Sequence, residues 1–269
     1  MYKNFFKYPG NKKRFLPTVI PIIKSSIANT YIEPFFGSGV IFLNSDNFKR
    51  YVINDIQGWV FDIYKTLAEI EYSVVQEFYY DIIIKKFGNI GKDKNSYYNF
   101  RTYVNNLEPG HYKNLGLFYL TRSCINSMAR FGPGGFNQGF GNRGRDIFFS
   151  VDDLEFIKQK FNKVEMFNSD YKELKSFNSS DSLWILDPPY NDAPIDTYHN
   201  KFSFKEFKEF VSTLKGDIIY FDTENEFGDT LFNNKIILRT MNSISPKTKH
   251  STNKLEVCYH NINVKNTLF

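Results

Sequence analysis

The stretch Ser182-Leu183-Trp184-Ile185-Leu186-Asp187-Pro188-Pro189-Tyr190 constrains this chain more than any other. Its apolar run suits a buried strand, and Pro188 must end that strand because proline cannot donate to a ladder. A carboxylate, a rigid carbonyl and an aromatic ring are then presented together just past a strand's C-terminal end. In open α/β sheets, ligands sit at that edge. The chemistry such a cluster suits is transfer to an exocyclic amine. The amino nitrogen of adenine is a poor nucleophile, because its lone pair is delocalised into the ring. Asp187 and the Pro188 carbonyl could each accept one of its hydrogens, which favours a pyramidal nitrogen at the moment of attack. Tyr190 offers a face on which an extruded base can stack.

The rest of the chain has the material to support such a strand. Of 269 residues, 42% are hydrophobic, with 29 Phe and 18 Tyr, so one large domain or a core domain with an insert is available. The formal charge of +5 permits a polyanionic partner without demanding one. Cys124 and Cys258 lie far apart in apolar surroundings, which suits reduced thiols and a cytoplasmic protein. The histidines show no metal-ligand spacing, so no metal is expected. No apolar run approaches a membrane span and no signal-peptide core is visible, so a soluble chain without a membrane partner is expected.

Taken in order, Tyr8-Pro9-Gly10-Asn11-Lys12 opens as a basic turn that could lay amide groups and an ammonium against an anion. It lacks the ending of a P-loop. A helix is expected next, with Phe15, Leu16, Val19, Ile20, Ile23 and Ile27 at near-helical spacing, made irregular by Pro17 and Pro21. Thr30-Tyr31-Ile32-Glu33-Pro34-Phe35-Phe36-Gly37-Ser38-Gly39 followed by Val40, Ile41, Phe42 and Leu43 reads as strand, glycine turn and helix. A second strand, 51–55, ends in Asp55, and an acid ending the strand after a glycine turn is the usual geometry for a ribose diol.

From 57 to about 126 the pattern is helical, with no strand, repeat or nucleotide turn, and it reads as an insert in an α/β chain. It closes on a run from 126 to 145 in which Gly, Asn, Arg and Phe alternate almost without acids. Arg130, Arg143 and Arg145 could grip phosphates, Asn137 and Gln138 could read base edges, and Phe136 could wedge or stack. A helix over 152–163 and a strand over 163–167 then resume the α/β rhythm, ending at Ser169-Asp170-Tyr171. An acid and an aromatic placed there could meet the edge and face of a bound adenine. The polar loop 191–201 could close over the site. Ser203 and Glu206 form a capping box ahead of the apolar stripe Phe204, Phe207, Val211 and Leu214. Three further strands, 217–221, 235–238 and 256–262, end the chain, with a basic loop over 243–254.

With these blocks in this order, the chain resembles DNA adenine-N6 methyltransferases of the Dam type, which use S-adenosylmethionine. The matching blocks are Tyr8-Pro9-Gly10-Asn11-Lys12, 33–39, Asn54-Asp55, 136–141, Ser169-Asp170-Tyr171 and Asp187-Pro188-Pro189-Tyr190. The resemblance implies a Rossmann-like methyltransferase sheet, mostly parallel with an antiparallel C-terminal strand, plus a helical target-recognition insert with a β-hairpin. Residues 1–57 and 148–269 would form the catalytic domain, and 58–147 the recognition domain. The implied catalytic residues are Asp187, Pro188 and Tyr190. Tyr8 and Lys12 would contact the cofactor, Lys12 near its carboxylate end, while Glu33, Phe35, Gly37, Ser38 and Gly39 would wrap its methionine part. Asp55 would hold the ribose, Asp170 and Tyr171 would flank the adenine, and Asp187 would touch both cofactor and target. Double-stranded DNA would be the partner through Arg130, Phe136, Asn137, Gln138, Arg143 and Arg145, with S-adenosylhomocysteine as product. Cytosine-N4 methylation and a catalytically silent DNA-binding module are the rival readings. A cognate restriction endonuclease stays open as a further partner. Gln138-Gly139 stands where the family often has Val-Pro or Thr-Pro, and a later strand ends in Phe221-Asp222-Thr223-Glu224-Asn225, where a Ser-Asn pair is common.

Overall fold

Strands and helices share the chain, with one long stretch that is helical throughout. The computed structural model describes residues 2–5, 8, 10–125, 129–142, 147–190, 202–244 and 251–264, with backbone alone at 241–244 and 251–253. A 3-10 turn (Lys12–Phe15) leads into α1 (Leu16–Ser25), which tolerates Pro17 in its first turn because the amides there have no helical acceptor. The helix stops before Ile27, which is 95% exposed and not on the apolar stripe expected of it. Next come β1 (Thr30–Glu33) and β2 (Arg50–Asn54).

Between those two strands the expected helix is absent, and only a 3-10 turn (Phe42–Asn44) forms. Gly37 and Gly39 take positive φ values of 51° and 67°, which break a right-handed run. Val40, Ile41, Phe42 and Leu43 are all buried, so they do not show the one-sided burial of an amphipathic helix.

The helical stretch contains α2 (Gly58–Glu69), α3 (Tyr72–Glu77) running into a π-helix (Phe78–Phe87), α4 (Lys94–Asn105) and α5 (His111–Ser123). A short hairpin follows, β3 (Phe131–Gly132) with β4 (Gly135–Phe136). The remaining elements are α6 (Val151–Phe161), β5 (Val164–Phe167), a 3-10 segment (Tyr171–Phe177), β6 (Ser182–Leu186), α7 (Phe204–Ser212) and β7 (Asp217–Thr223). The chain then forms α8 (Glu226–Leu231), β8 (Asn234–Ile244) and β9 (Ser251–His260). Strand therefore occupies both ends of the stretch 243–254 read as a basic loop. Lys247, Lys249 and His250 lie outside the described residues, as does the loop 191–201.

The chain divides into two compact units. One comprises Met1–Lys13, Gly37–Leu43 and Gln57–Val164, the other Arg14–Phe36, Asn44–Ile56 and Glu165–Phe269. The second unit is built on a seven-stranded sheet in the order β5-β2-β1-β6-β7-β9-β8. Strands β2, β1, β6 and β7 pair in parallel, whereas β9 runs antiparallel to both its neighbours. This is the Rossmann-like sheet with an antiparallel C-terminal strand. Its core gathers Ile32, Val52, Trp184, Leu186, Phe207 and Tyr220. In the first unit Tyr64 stacks on Phe161 with centroids 4.7 Å apart, and Gly116 lets α5 approach the Val104 side chain of α4.

At the outer side of the sheet, the Arg50 guanidinium of β2 grips Glu165 of β5 at both oxygens, at 2.5 and 2.9 Å, and lies over the Phe177 ring. That contact holds the Glu165 carboxyl below its ordinary pKa. A depressed carboxylate stabilises the fold above its unfolded pKa, and that contribution disappears as pH falls through the folded value. Both side chains are about half exposed, so Glu165→Gln should cost no more than about 1 kcal/mol at neutral pH. Thermal melts of the two proteins should converge in acid, below the Glu165 transition.

Candidate active site

Parallel pairing sends the C-terminal ends of β1, β2, β6 and β7 to one edge of the sheet. The strand order reverses between β1 and β6, since β2 lies to one side of β1 and β7 to the far side of β6. A crevice at such a reversal is the usual ligand position in an open α/β sheet. Glu33 ends β1 there, and Asp187-Pro188-Pro189-Tyr190 follows β6. All of β6 is buried and Pro188 is buried too, while Asp187, Pro189 and Tyr190 are half-buried. The backbone is thus rigid up to the point where the carboxylate and carbonyl are offered.

Tyr190 donates its phenol hydrogen to Glu256 Oε1 at 2.8 Å. Burial, followed by the charges of Asp187, Glu256 and Asp222, raises its pKa far above the ordinary tyrosine value, so the hydroxyl remains a donor. Glu33 accepts a 2.7 Å hydrogen bond from Tyr31, two residues earlier on the same strand face. Asp222, at the end of β7, is buried and accepts from Tyr220, from the Thr223 amide and from Asn225 Nδ2.

Neighbouring strand ends are tied together by Asn54, which is 1% exposed. Its amide donates to the carbonyls of Pro34 and Ser169, both at 3.0 Å, and its Oδ1 accepts from the Ser169 backbone at 3.1 Å. One side chain therefore joins the segment after β1 to the segment after β5. The Asn168 amide donates to the Asp55 carbonyl at 2.7 Å, and the Asp55 amide donates to the Phe167 carbonyl at 3.3 Å. Asp55 itself is buried at the end of β2.

The same clasp positions an aromatic wall. Phe35 meets Tyr171 at 5.3 Å and Phe207 at 5.8 Å, and Tyr171 meets Phe210 at 5.1 Å. Tyr171 is 8% exposed, and among the described residues its buried phenol oxygen has no hydrogen-bond partner. Burial pushes that phenol up to about 12. Asp170 is more exposed and partly committed, because its Oδ1 caps the following 3-10 segment through the Lys172 amide at 2.9 Å.

The remaining small-molecule candidates lie in the other unit. Asn11 donates to Ser38 Oγ at 2.7 Å, and Tyr64 donates to the Ser38 carbonyl at 2.6 Å, so the N-terminal turn and α2 both hold the glycine turn. The Tyr8 ring lies against Gly37, where a Cβ would come within 3.0 Å of it, and also stacks near Trp59. Lys12 is 2% exposed, and its ammonium donates to the Gly10 carbonyl at 2.7 Å.

The expected recognition hairpin is β3–β4, and α4 carries it. Asn105 exchanges two 2.9 Å hydrogen bonds with the Phe136 backbone. Tyr97 and Arg101 both donate to the Gln138 carbonyl. Arg130 and Asn137 are exposed, and Gln138 is half-buried. Phe136 is 1% exposed and packs edge-on against Phe131, so the wedge expected of it is instead the hairpin's own core. Arg143 and Arg145 lie outside the described residues.

Residue type and spacing alone did not single out the clasp of Asn54 or the buried carboxylates of Asp222 and Glu256. The available signal was an acid inside an apolar strand pattern, at Ile218-Ile219-Tyr220-Phe221-Asp222 and Leu255-Glu256-Val257.

Residues 8–252 match the family of D12 class N6 adenine-specific DNA methyltransferases. The DNA adenine methylase of Vibrio cholerae serotype O1 is 28% identical over 201 residues, covering 74% of this chain and 69% of its own length. That of Escherichia coli K12 is 25% identical over 226 residues, or 80% of this chain and 77% of the relative. The Type II methyltransferase M.CviBI of Paramecium bursaria Chlorella virus NC1A is 26% identical over 220 residues, or 79% and 80% of the two chains.

Replacing Asn54 with Ala leaves the buried Pro34 carbonyl and the partly buried carbonyl and amide of Ser169 without their partner. Such groups cost about 1–3 kcal/mol each when stranded. Asn54→Ala should lower the melting temperature clearly and speed amide exchange at both 34–37 and 168–171. Unchanged protection at either segment would show that Asn54 does not couple them.

Proposed function

Because this chain belongs to the D12 class N6 adenine-specific DNA methyltransferases, we propose that it moves a methyl group from S-adenosylmethionine to the amino group of an adenine turned out of double-stranded DNA. The observation that carries this reading is Asp187-Pro188-Pro189-Tyr190 at the end of a buried strand, beside the reversal in strand order. The cofactor, when bound, supplies an already activated methyl on a sulfonium and leaves as S-adenosylhomocysteine. The contribution required of this chain is placement and polarisation of the amine.

Asp187 would accept one amino hydrogen and the Pro188 carbonyl the other, localising the nitrogen lone pair. Rigidity matters here, because acceptors already in place need no reorganisation as charge develops. Tyr190 would offer its ring as the stacking face for the extruded base.

The residues present fit the cofactor. Gly37 and Gly39 take backbone conformations in which a side chain would be strained, and they are assigned to the methionine part along with Glu33, Phe35 and Ser38. Tyr171 brings an aromatic wall and a buried, unmatched phenol oxygen to the assignment of Asp170 and Tyr171 to the adenine. Asp55 is assigned to the ribose, Lys12 to the carboxylate end, and Tyr8 to a further contact with the cofactor.

Residues 58–147 act as the recognition domain in this reading. Exposed Arg130 and Asn137, with Gln138, carry the contacts to DNA, and Arg143 and Arg145 are assigned the same task. A cytoplasmic setting is supported by Cys124 and Cys258 being buried. The Type II description of one relative supports a search for a cognate restriction endonuclease.

Asp187→Ala should abolish transfer of labelled methyl from S-adenosylmethionine to unmethylated DNA while the melting temperature holds within a few degrees. Full transfer by that variant would remove Asp187 from the chemistry. Digestion of the wild-type product should release N6-methyladenine and no N4-methylcytosine.

A further inference from the structure

We infer that Glu256, held by Arg239, is a positioning residue that fixes the ring of Tyr190 for base stacking. The inference rests on the reading of Tyr190 as the stacking residue and adds the group that aims it. Glu256 belongs to β9, outside the motif that carries the chemistry, and is 2% exposed. One of its carboxylate oxygens accepts from the Tyr190 hydroxyl at 2.8 Å, and the other accepts from Arg239 Nε. The Arg239 guanidinium in turn lies over the Phe15 ring, 5.9 Å from its centroid.

A break in the sheet register makes this arrangement. Between β8 and β9, Ile237 pairs with Val257 and Arg239 pairs with Glu256, so Leu238 is an extra residue on one strand. Paired residues on antiparallel strands point to the same face, and a bulge shifts which residue does so. Without the extra residue Leu238 would oppose Glu256. A buried carboxylate facing leucine would lack its cation, and an unpaired buried charge is strongly unfavourable. The bulge therefore pairs the buried Glu256 carboxyl with Arg239 beside Asp187-Pro188-Pro189-Tyr190.

The geometry of a phenol explains the effect of the contact. The hydroxyl lies on the axis from Cβ through the ring, so anchoring it fixes the direction in which the ring points. Rotation about that axis stays possible until a base stacks on one face. A tyrosine held at both its ends has less orientational freedom to lose on stacking, which lowers the cost of ordering it in the complex. Its hydroxyl stays protonated because burial and nearby carboxylates disfavour the phenolate.

The test is a double-mutant cycle on methyl transfer to unmethylated DNA of mixed sequence, joined to NMR of tyrosine 13Cζ-labelled protein. Tyr190→Phe keeps the stacking face and removes only the anchored hydroxyl. Glu256→Ala removes the acceptor, and Glu256→Gln keeps an acceptor oxygen in its place. A hydrogen bond to a charged group corresponds to roughly tenfold or more, so Tyr190→Phe and Glu256→Ala should each lower kcat about tenfold. The KM for S-adenosylmethionine should not move. The double variant should be no slower than either single one, and Glu256→Gln should recover most of the loss. The Tyr190 13Cζ resonance should shift in Glu256→Ala and return towards its wild-type position in Glu256→Gln. A fully active Tyr190→Phe, losses that multiply, or an unmoved resonance would overturn the inference. A wild-type chain that transfers no methyl to DNA would sink the functional reading instead, and the resonance would still decide whether Glu256 anchors the ring.

Discussion

Parallel pairing of β6 between β1 and β7 is the constraint on which the candidate site depends. With neighbours on both sides and every residue buried, β6 has no freedom to shift register without exposing apolar side chains or stranding backbone groups. Pro188 then stops the ladder one residue after Asp187. The carboxylate and the carbonyl therefore stand at a defined depth beyond the sheet. A more mobile loop could hold the same residues but would have to order them during each reaction cycle.

Strand ends are separate pieces of chain, and the sheet alone does not align the segments beyond them. In this protein side chains supply that alignment. Asn54 bonds both flanking segments, and the Phe35–Tyr171 contact packs the same two segments through aromatic surface. In the other unit, Asn11 and Tyr64 hold Ser38 from two directions. The glycines of this turn could visit many conformations in an unfolded chain. The two hydrogen bonds to Ser38 help select one, and the close fit of Tyr8 against Gly37 leaves no space for a side chain.

Acidic groups around the end of β6 serve different purposes, and their partners separate them. Asp222 is enclosed by donors from its own strand and the following turn. Glu33 accepts from Tyr31. Glu256 is balanced by Arg239 and reaches outward to Tyr190. Asp187 stands half-buried at the strand end, which is where a carboxylate can meet both ligand and protein.

Local sequence was enough to identify the elements whose character depends on a few neighbouring residues. The strand and proline stop of 182–190, the N-cap at Ser203, the glycine turn at 37–39 and the helical stretch after 57 all read correctly, because each rests on apolar periodicity or on a residue with a marked backbone preference. The segment 40–43 failed that reading: its apolar residues are buried all round, and only surrounding packing could reveal that no helix is needed there. Phe136 failed similarly, since an aromatic ring suits a hairpin core as well as an exposed wedge, and its burial depends on Phe131 and α4. Tertiary structure alone decided the strand order, the clasp of Asn54, and the pairing of Arg239 with Glu256 beside Tyr190. These depend on residues tens of positions apart, and on a one-residue bulge that no local periodicity encodes.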